Sequence, residues 1–131
     1  MAASLARVYS CNVELALEIL GGKWKPVILA HLKEGPLRYG ELRSLIRTSG
    51  RRLMSDKMLT QRLLDLEEQG LVERQKRGGR GAPSIYRLTK RGEGLRPALT
   101  ALHDWAAAVA PEVGATVLEP PANKERRFES A

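Results

Sequence analysis

At 131 residues, 43% of them hydrophobic and 5% aromatic, the chain has the size of one domain with an aliphatic core. A single cysteine excludes an internal disulfide framework, no apolar run approaches the ~20 residues of a membrane span, and the opening MAASLARVYS lacks a signal-peptide core, so a cytoplasmic protein is expected. The net charge of +7 is unevenly placed: residues 38–62 and 74–91 together carry +12 and the remainder −5, a split that suits a polyanionic partner better than an evenly solvated surface.

Residues 1–10 read as an irregular arm in which Leu5, Val8 and Tyr9 could pack on a partner. Asn12 can cap a helix whose Val13, Leu17 and Leu20 share a face with Ala16, and Gly21-Gly22 ends it. Lys23-Trp24-Lys25-Pro26 opens a second helix, because a first-turn proline gives up no hydrogen bond; Trp24, Val27, Ile28 and Leu32 form its buried side, and Gly35-Pro36 closes it. Residues 37–39 are too short for an independent strand but can join a later hairpin as a minor third strand. Residues 40–46 read as a third helix with Leu42, Leu45 and Ile46 inward. The stretch RTSGRRLM, residues 47–54, is longer than the turn of about three or four residues usual between paired helices. Periodicity leaves open whether it adds a helical turn or forms an exposed basic loop carrying Arg47, Arg51 and Arg52.

Residues 55–76 organise the rest. Ser55 can cap a helix in which Leu59, Leu63 and Leu66 form one apolar stripe, with Lys57, Gln61 and Leu64 on the opposite side and Thr60 at its edge. Gly70 supplies a left-handed stop, and a strand leaves from Leu71. RGGRGAP, residues 77–83, then leads to a second strand with Tyr86 and Leu88 on one face. The pair forms a hairpin whose glycine-rich tip, bearing Arg77 and Arg80, can approach a phosphate backbone closely. From Lys90, Leu95, Leu99, Leu102, Ala106 and Val109 step by four and three with Trp105 beside them, a narrow strip suited to pairing with a second helix. Pro97 either marks the true start of that helix or kinks it, and Pro111 ends it. The expected organisation is an arm (1–10), one domain (11–110) whose last helix, about 90–110, dimerises, and a disordered tail (111–131). The fold class is mainly α with a small β-hairpin, an α+β arrangement.

Cys11 is the one site with evident reactivity, since it stands just before a helix whose unpaired amides favour an anionic sulfur. The plainer reading is a small buried hydrophobe. His31 and His103 lack metal-ligand spacing, no glycine-rich phosphate loop precedes a helix, and no nucleophile has an evident base. No catalytic residue, metal or cofactor is therefore expected, and the chain is not expected to be an enzyme.

The combination of Cys11, LGGKW (20–24), YGEL (39–42), KMLTQRL (57–63), LEEQGLV (66–72) and YRLTKRG (86–92), in this order, resembles the HxlR-type bacterial transcription regulators, winged helix-turn-helix proteins related in shape to the MarR type. The resemblance implies a homodimer, built by the terminal helices, on a near-palindromic double-stranded DNA operator. It places the reading helix at residues 55–69 and the wing at 77–83. Lys57, Thr60 and Gln61 are then the candidates for base edges, and Arg43, Arg51, Arg52 and Arg62 for phosphates. Arg77 or Arg80 would enter a narrowed minor groove. Leu64 would touch a thymine methyl or cover the residues 47–54 insertion. Where such regulators commonly carry proline after the cap this chain has Asp56, whose charge favours the helix dipole but stands close to phosphates. In some members a cysteine at the Cys11 position senses oxidants or electrophiles; here it could form only an intersubunit disulfide, a mixed disulfide or an adduct. Two alternatives remain in view. One is a small-molecule-gated regulator with an apolar cleft lined by Trp24, Trp105 and Tyr9, although aromatic residues at helical spacing are more often core. The other is an RNA- or protein-binding module that uses the RGGRG loop as its handle.

Overall fold

The leucine spacings of the middle of the chain condense into one aliphatic core, and that core fixes where the polar faces point. The computed structural model describes residues 6–49, 54–76 and 83–117, with the backbone alone for residues 47–49. In chain order these form α1 (Asn12–Leu20), α2 (Trp24–Leu32), β1 (Leu37–Arg38), α3 (Tyr39–Ser49), α4 (Asp56–Glu68), β2 (Val72–Lys76), β3 (Ser84–Leu88), α5 (Lys90–Glu93), α6 (Arg96–Val109) and a 3-10 turn (Ala110–Val113). The strands make an antiparallel sheet in the order β1-β3-β2, with Leu37 opposite Tyr86 and Val72 opposite Leu88. The minor third strand expected of residues 37–39 is thus β1, one residue shorter.

Ile28, Leu29 and Leu32 of α2, Leu42 and Ile46 of α3, and Leu59, Leu63 and Leu66 of α4 are all buried, and Leu37, Leu71, Val72, Tyr86 and Leu88 close the core from the sheet. Each buried aliphatic side chain contributes roughly 1.5–3 kcal/mol. Leu29 lies beside the expected α2 face and widens it. Met54 at the end of the long insertion is also buried, which anchors the chain just before α4.

Several boundaries differ from the sequence reading, each for a local reason. Cys11, not Asn12, is the extended residue that precedes α1, and it makes no side-chain cap; the hydroxyl and backbone N–H of Ser10 reach forward to Glu14 Oε1 (2.9 and 2.7 Å), which pins the chain before the helix to its first turn. Those two hydrogen bonds hold the Glu14 carboxyl below its ordinary range. The third helix is longer than residues 40–46 and runs on through residue 49, so the first part of the insertion continues the helix, while residues 50–53 lie outside the described residues. The pattern starting at Lys90 is two helices: α5 ends at Glu93, and α6 starts at Arg96 with Pro97 in its first turn, where a missing amide costs nothing. Arg96 ties that start down by donating to Glu93 Oε1 and, at 2.7 Å, to the Lys33 carbonyl past the end of α2.

α4 and the hairpin are joined rigidly. Ser55 accepts from the Met58 amide at 3.1 Å, Gly70 takes φ +75°, and the residues after β3 clasp the turn between α4 and β2. The Thr89 hydroxyl donates to the Gly70 carbonyl (2.6 Å) and accepts from the Gly92 amide (3.1 Å), while Arg91 donates to the Gln69 carbonyl (2.8 Å). The TKRG motif is therefore the buckle between reading helix and wing. On the other side of α4's end, buried Lys25 donates to the Ile19 carbonyl (3.1 Å) and to Gln69 Oε1 (3.2 Å), with its ammonium pKa pushed down by burial.

Candidate nucleic-acid interface

With Leu59, Leu63 and Leu66 buried, the far side of α4 is left to solvent: Lys57, Met58, Thr60, Gln61 and Leu64 are all exposed. Leu64 stands open beside the polar side chains, one step from Gln61 and Lys57 on the same face. Gln61 Nε2 donates to Asp65 Oδ1 at 3.0 Å, and Arg62 Nε lies 3.4 Å from the other oxygen of the same carboxylate. A side chain one turn on thus orients both a candidate base reader and a candidate phosphate holder.

α3 meets the start of α4 through charge. Arg43 Nη1 is 3.4 Å from Asp56 Oδ1, and the Tyr39 hydroxyl donates to the same oxygen at 3.2 Å. The sequence reading named Arg43 only as a phosphate candidate and missed Tyr39, which YGEL offered only as part of a motif. Arg51, Arg52, Arg77 and Arg80 lie outside the described residues, as does all of the expected wing tip except Pro83. The wing's strands are described. Glu73 and Gln75 both lie on Arg87, and Arg74 is paired in register with Tyr86. Burial pushes the Tyr86 phenol pKa up.

Cys11 is exposed. Arg7 is engaged by Glu18 of α1 (3.0 Å) and stacks over Tyr9. Of the expected dimer strip, Leu99 is buried in the chain's own core and Leu95 packs against it, whereas every residue from 100 to 108 is exposed, including Leu102, Trp105 and Ala106, and Val109 is half-buried. α1 behaves likewise: Ile19 and Leu20 pack on the core, but Val13, Ala16 and Leu17 face outward. Trp24 packs against the core, with Lys23 over its ring. An open depression lined by Arg38, Tyr39, Ser44, Leu45, Pro83 and Ser84 includes none of Tyr9, Trp24 and Trp105, the residues expected to line a ligand cleft. Among the described residues no group of three His, Cys, Asp or Glu side chains comes together as a metal site would need.

A capped helix with polar side chains opposite its buried stripe, backed by α2 and α3 and buckled into a β-hairpin, defines a winged helix-turn-helix DNA-binding domain. The chain belongs to the HxlR-like helix-turn-helix family, whose model matches residues 19–113, and it is a DNA-binding transcriptional regulator. It is 40% identical over 99 residues to the putative regulatory protein MalR of Fusobacterium mortiferum, covering 74% of this chain and 88% of that one. With the uncharacterized HTH-type transcriptional regulator YkvN of Bacillus subtilis it shares 39% identity over 103 residues, 78% of this chain and 82% of the other. Among solved structures it is similar to the redox regulator HypR in its reduced form (TM-score 0.70, 30% identity, 79% and 98% of the two chains). It is similar to the oxidized form of HypR as well (TM-score 0.66, 31% identity, 75% and 96%).

Proposed function

We propose that two copies of this chain pair through α1 and the outer turns of α6 and place their α4 helices in successive major grooves of a near-palindromic operator. The observation that carries this reading is the outward apolar surface on both terminal helices of one chain: Leu17 and Trp105 are each 65% exposed, joined by Val13 and Leu102. Lys57 then meets guanine acceptors, Gln61 adenine, and Thr60 the adjoining base, while Arg43, Arg51, Arg52 and Arg62 hold phosphates and Arg77 or Arg80 enters the minor groove. Paired half-sites lie roughly 34–36 Å apart. The protein acts in the cytoplasm by binding and carries no catalytic step. No helix of the described residues is long and apolar enough to cross a membrane.

The test separates reading from holding. Arg80→Ala should weaken binding to every duplex and lower the salt slope by about 0.9, because one fewer cation displaces counterions from the duplex. Gln61→Ala should change which sequences are preferred, at roughly 1–3 kcal/mol for the affected base pair. Filter binding across a salt series and a panel of operator variants measures both, and identical effects from the two substitutions would overturn the assignment.

A second reading concerns the signal. Cys11 is exposed at the start of α1, the helix that carries half of the proposed dimer surface, and a similar fold is solved in reduced and oxidized forms in HypR. We infer that oxidation or alkylation of Cys11 shifts how the two copies pack and so changes operator affinity. Diamide treatment should alter operator binding and, if an intersubunit disulfide forms, gel mobility without reductant. A Cys11→Ser protein that responds equally to diamide ends this reading.

A further inference from the structure

The first residue of α4 carries a negative charge on the surface proposed above to meet phosphates, and two donors from α3 hold it. Arg43 Nη1 lies 3.4 Å from each carboxylate oxygen of Asp56, and the Tyr39 hydroxyl donates to Oδ1 at 3.2 Å and approaches the Asp56 carbonyl at 3.4 Å. A guanidinium and a hydroxyl converging on two carboxylate oxygens form the same donor set that grips a phosphodiester. The pair is also replaceable. Its separations sit at the long end of hydrogen bonding, and the Arg43 and Asp56 side chains are 40% and 56% exposed, so water and an incoming anion reach both.

We propose that Asp56 is an internal stand-in for a DNA phosphate: it holds Arg43 and Tyr39 in a phosphate-ready arrangement in the free protein and competes with the duplex for them on binding. The inference rests on the DNA-binding reading and deepens it by assigning a brake to one residue. The competition is electrostatic, so it lowers affinity for every sequence alike and leaves base preference unchanged. Asp56 is a positioning residue, acting through Arg43 and Tyr39. A purely structural role, in which the carboxylate only complements the α4 dipole, makes the opposite prediction: its removal lowers stability and does not tighten binding.

The experiment compares full-length wild type with Asp56→Asn on a labelled mixed-sequence duplex. Asp56→Asn should bind about tenfold tighter at ~50 mM monovalent salt and about threefold tighter at ~200 mM, with a salt slope steeper by about 0.9 as one more counterion is released. Most of that gain should vanish in an Arg43→Ala background, since the freed partner is then missing. Asp56→Ser serves equally if the asparagine variant melts early. If wild type binds the duplex and neither variant tightens or steepens it, this inference fails while the DNA-binding reading stands. If wild type binds no duplex at any salt, the DNA-binding reading itself fails and takes the inference with it.

Discussion

Gly92→Ala should be among the most damaging single-methyl changes in the protein, costing about 3 kcal/mol or more and lowering the melting temperature by about 10 °C. A Cβ built at Gly92 would stand 2.2 Å from the Leu71 carbonyl oxygen and 3.3 Å from Leu88 Cδ2. The carbonyl cannot turn aside without loss, because it accepts the Thr89 amide at 3.1 Å and so holds the buckle between α4 and the wing. Moving α5 away instead breaks the Thr89 and Arg91 hydrogen bonds to the turn. Gly40→Ala is the control, since a Cβ there meets nothing within 4 Å and the residue lies inside α3; it should hold or raise stability by up to about 1 kcal/mol. Thermal melts of the two variants decide, and a Gly92→Ala protein that melts with the wild type would show the close approach to be soft.

Trp105→Glu, alone or with Leu102→Glu, should leave the fold intact, give a monomer by sedimentation, and reduce operator affinity by about 100-fold or more, because one half-site no longer raises the effective concentration of the other. Both side chains are largely exposed in one chain, so a charge there costs a monomer little and is buried only if a second copy covers it. Leu99→Ala should behave differently. That side chain belongs to the chain's own core, and its truncation should cost about 2–5 kcal/mol of stability whatever the oligomeric state. A Trp105→Glu protein that sediments as a dimer and binds at wild-type affinity would contradict the proposed pairing.

The core was legible wherever one helix had one buried side. Leu59, Leu63 and Leu66 at their spacing, the Ser55 cap and the left-handed Gly70 are all as the residues required, because each is decided within a turn or two of its own neighbours. Periodicity said less along α6, where one strip is part buried and part exposed. Leu95 to Val109 is a continuous strip in the sequence, yet Leu95 and Leu99 serve the monomer and Leu102 and Trp105 do not, a division set by where α6 leaves α2 and invisible in the spacing. The same limit hid the outward side of α1. Long-range polar partners were the other blind spot: Tyr39 and Asp56 are 17 residues apart, Lys25 and Gln69 are 44 apart, and Thr89 reaches back 19 to Gly70. No local rule pairs such residues; they become visible only once helices and sheet have been docked.

The bare outer turns of α6 also bear on how much of this regulator a cell must make. If assembly of two chains precedes capture of the operator, the capturing species grows as the square of chain number while chains are scarce. Halving expression then removes about three quarters of it, and a modest change in synthesis or degradation becomes a sharp change in transcription.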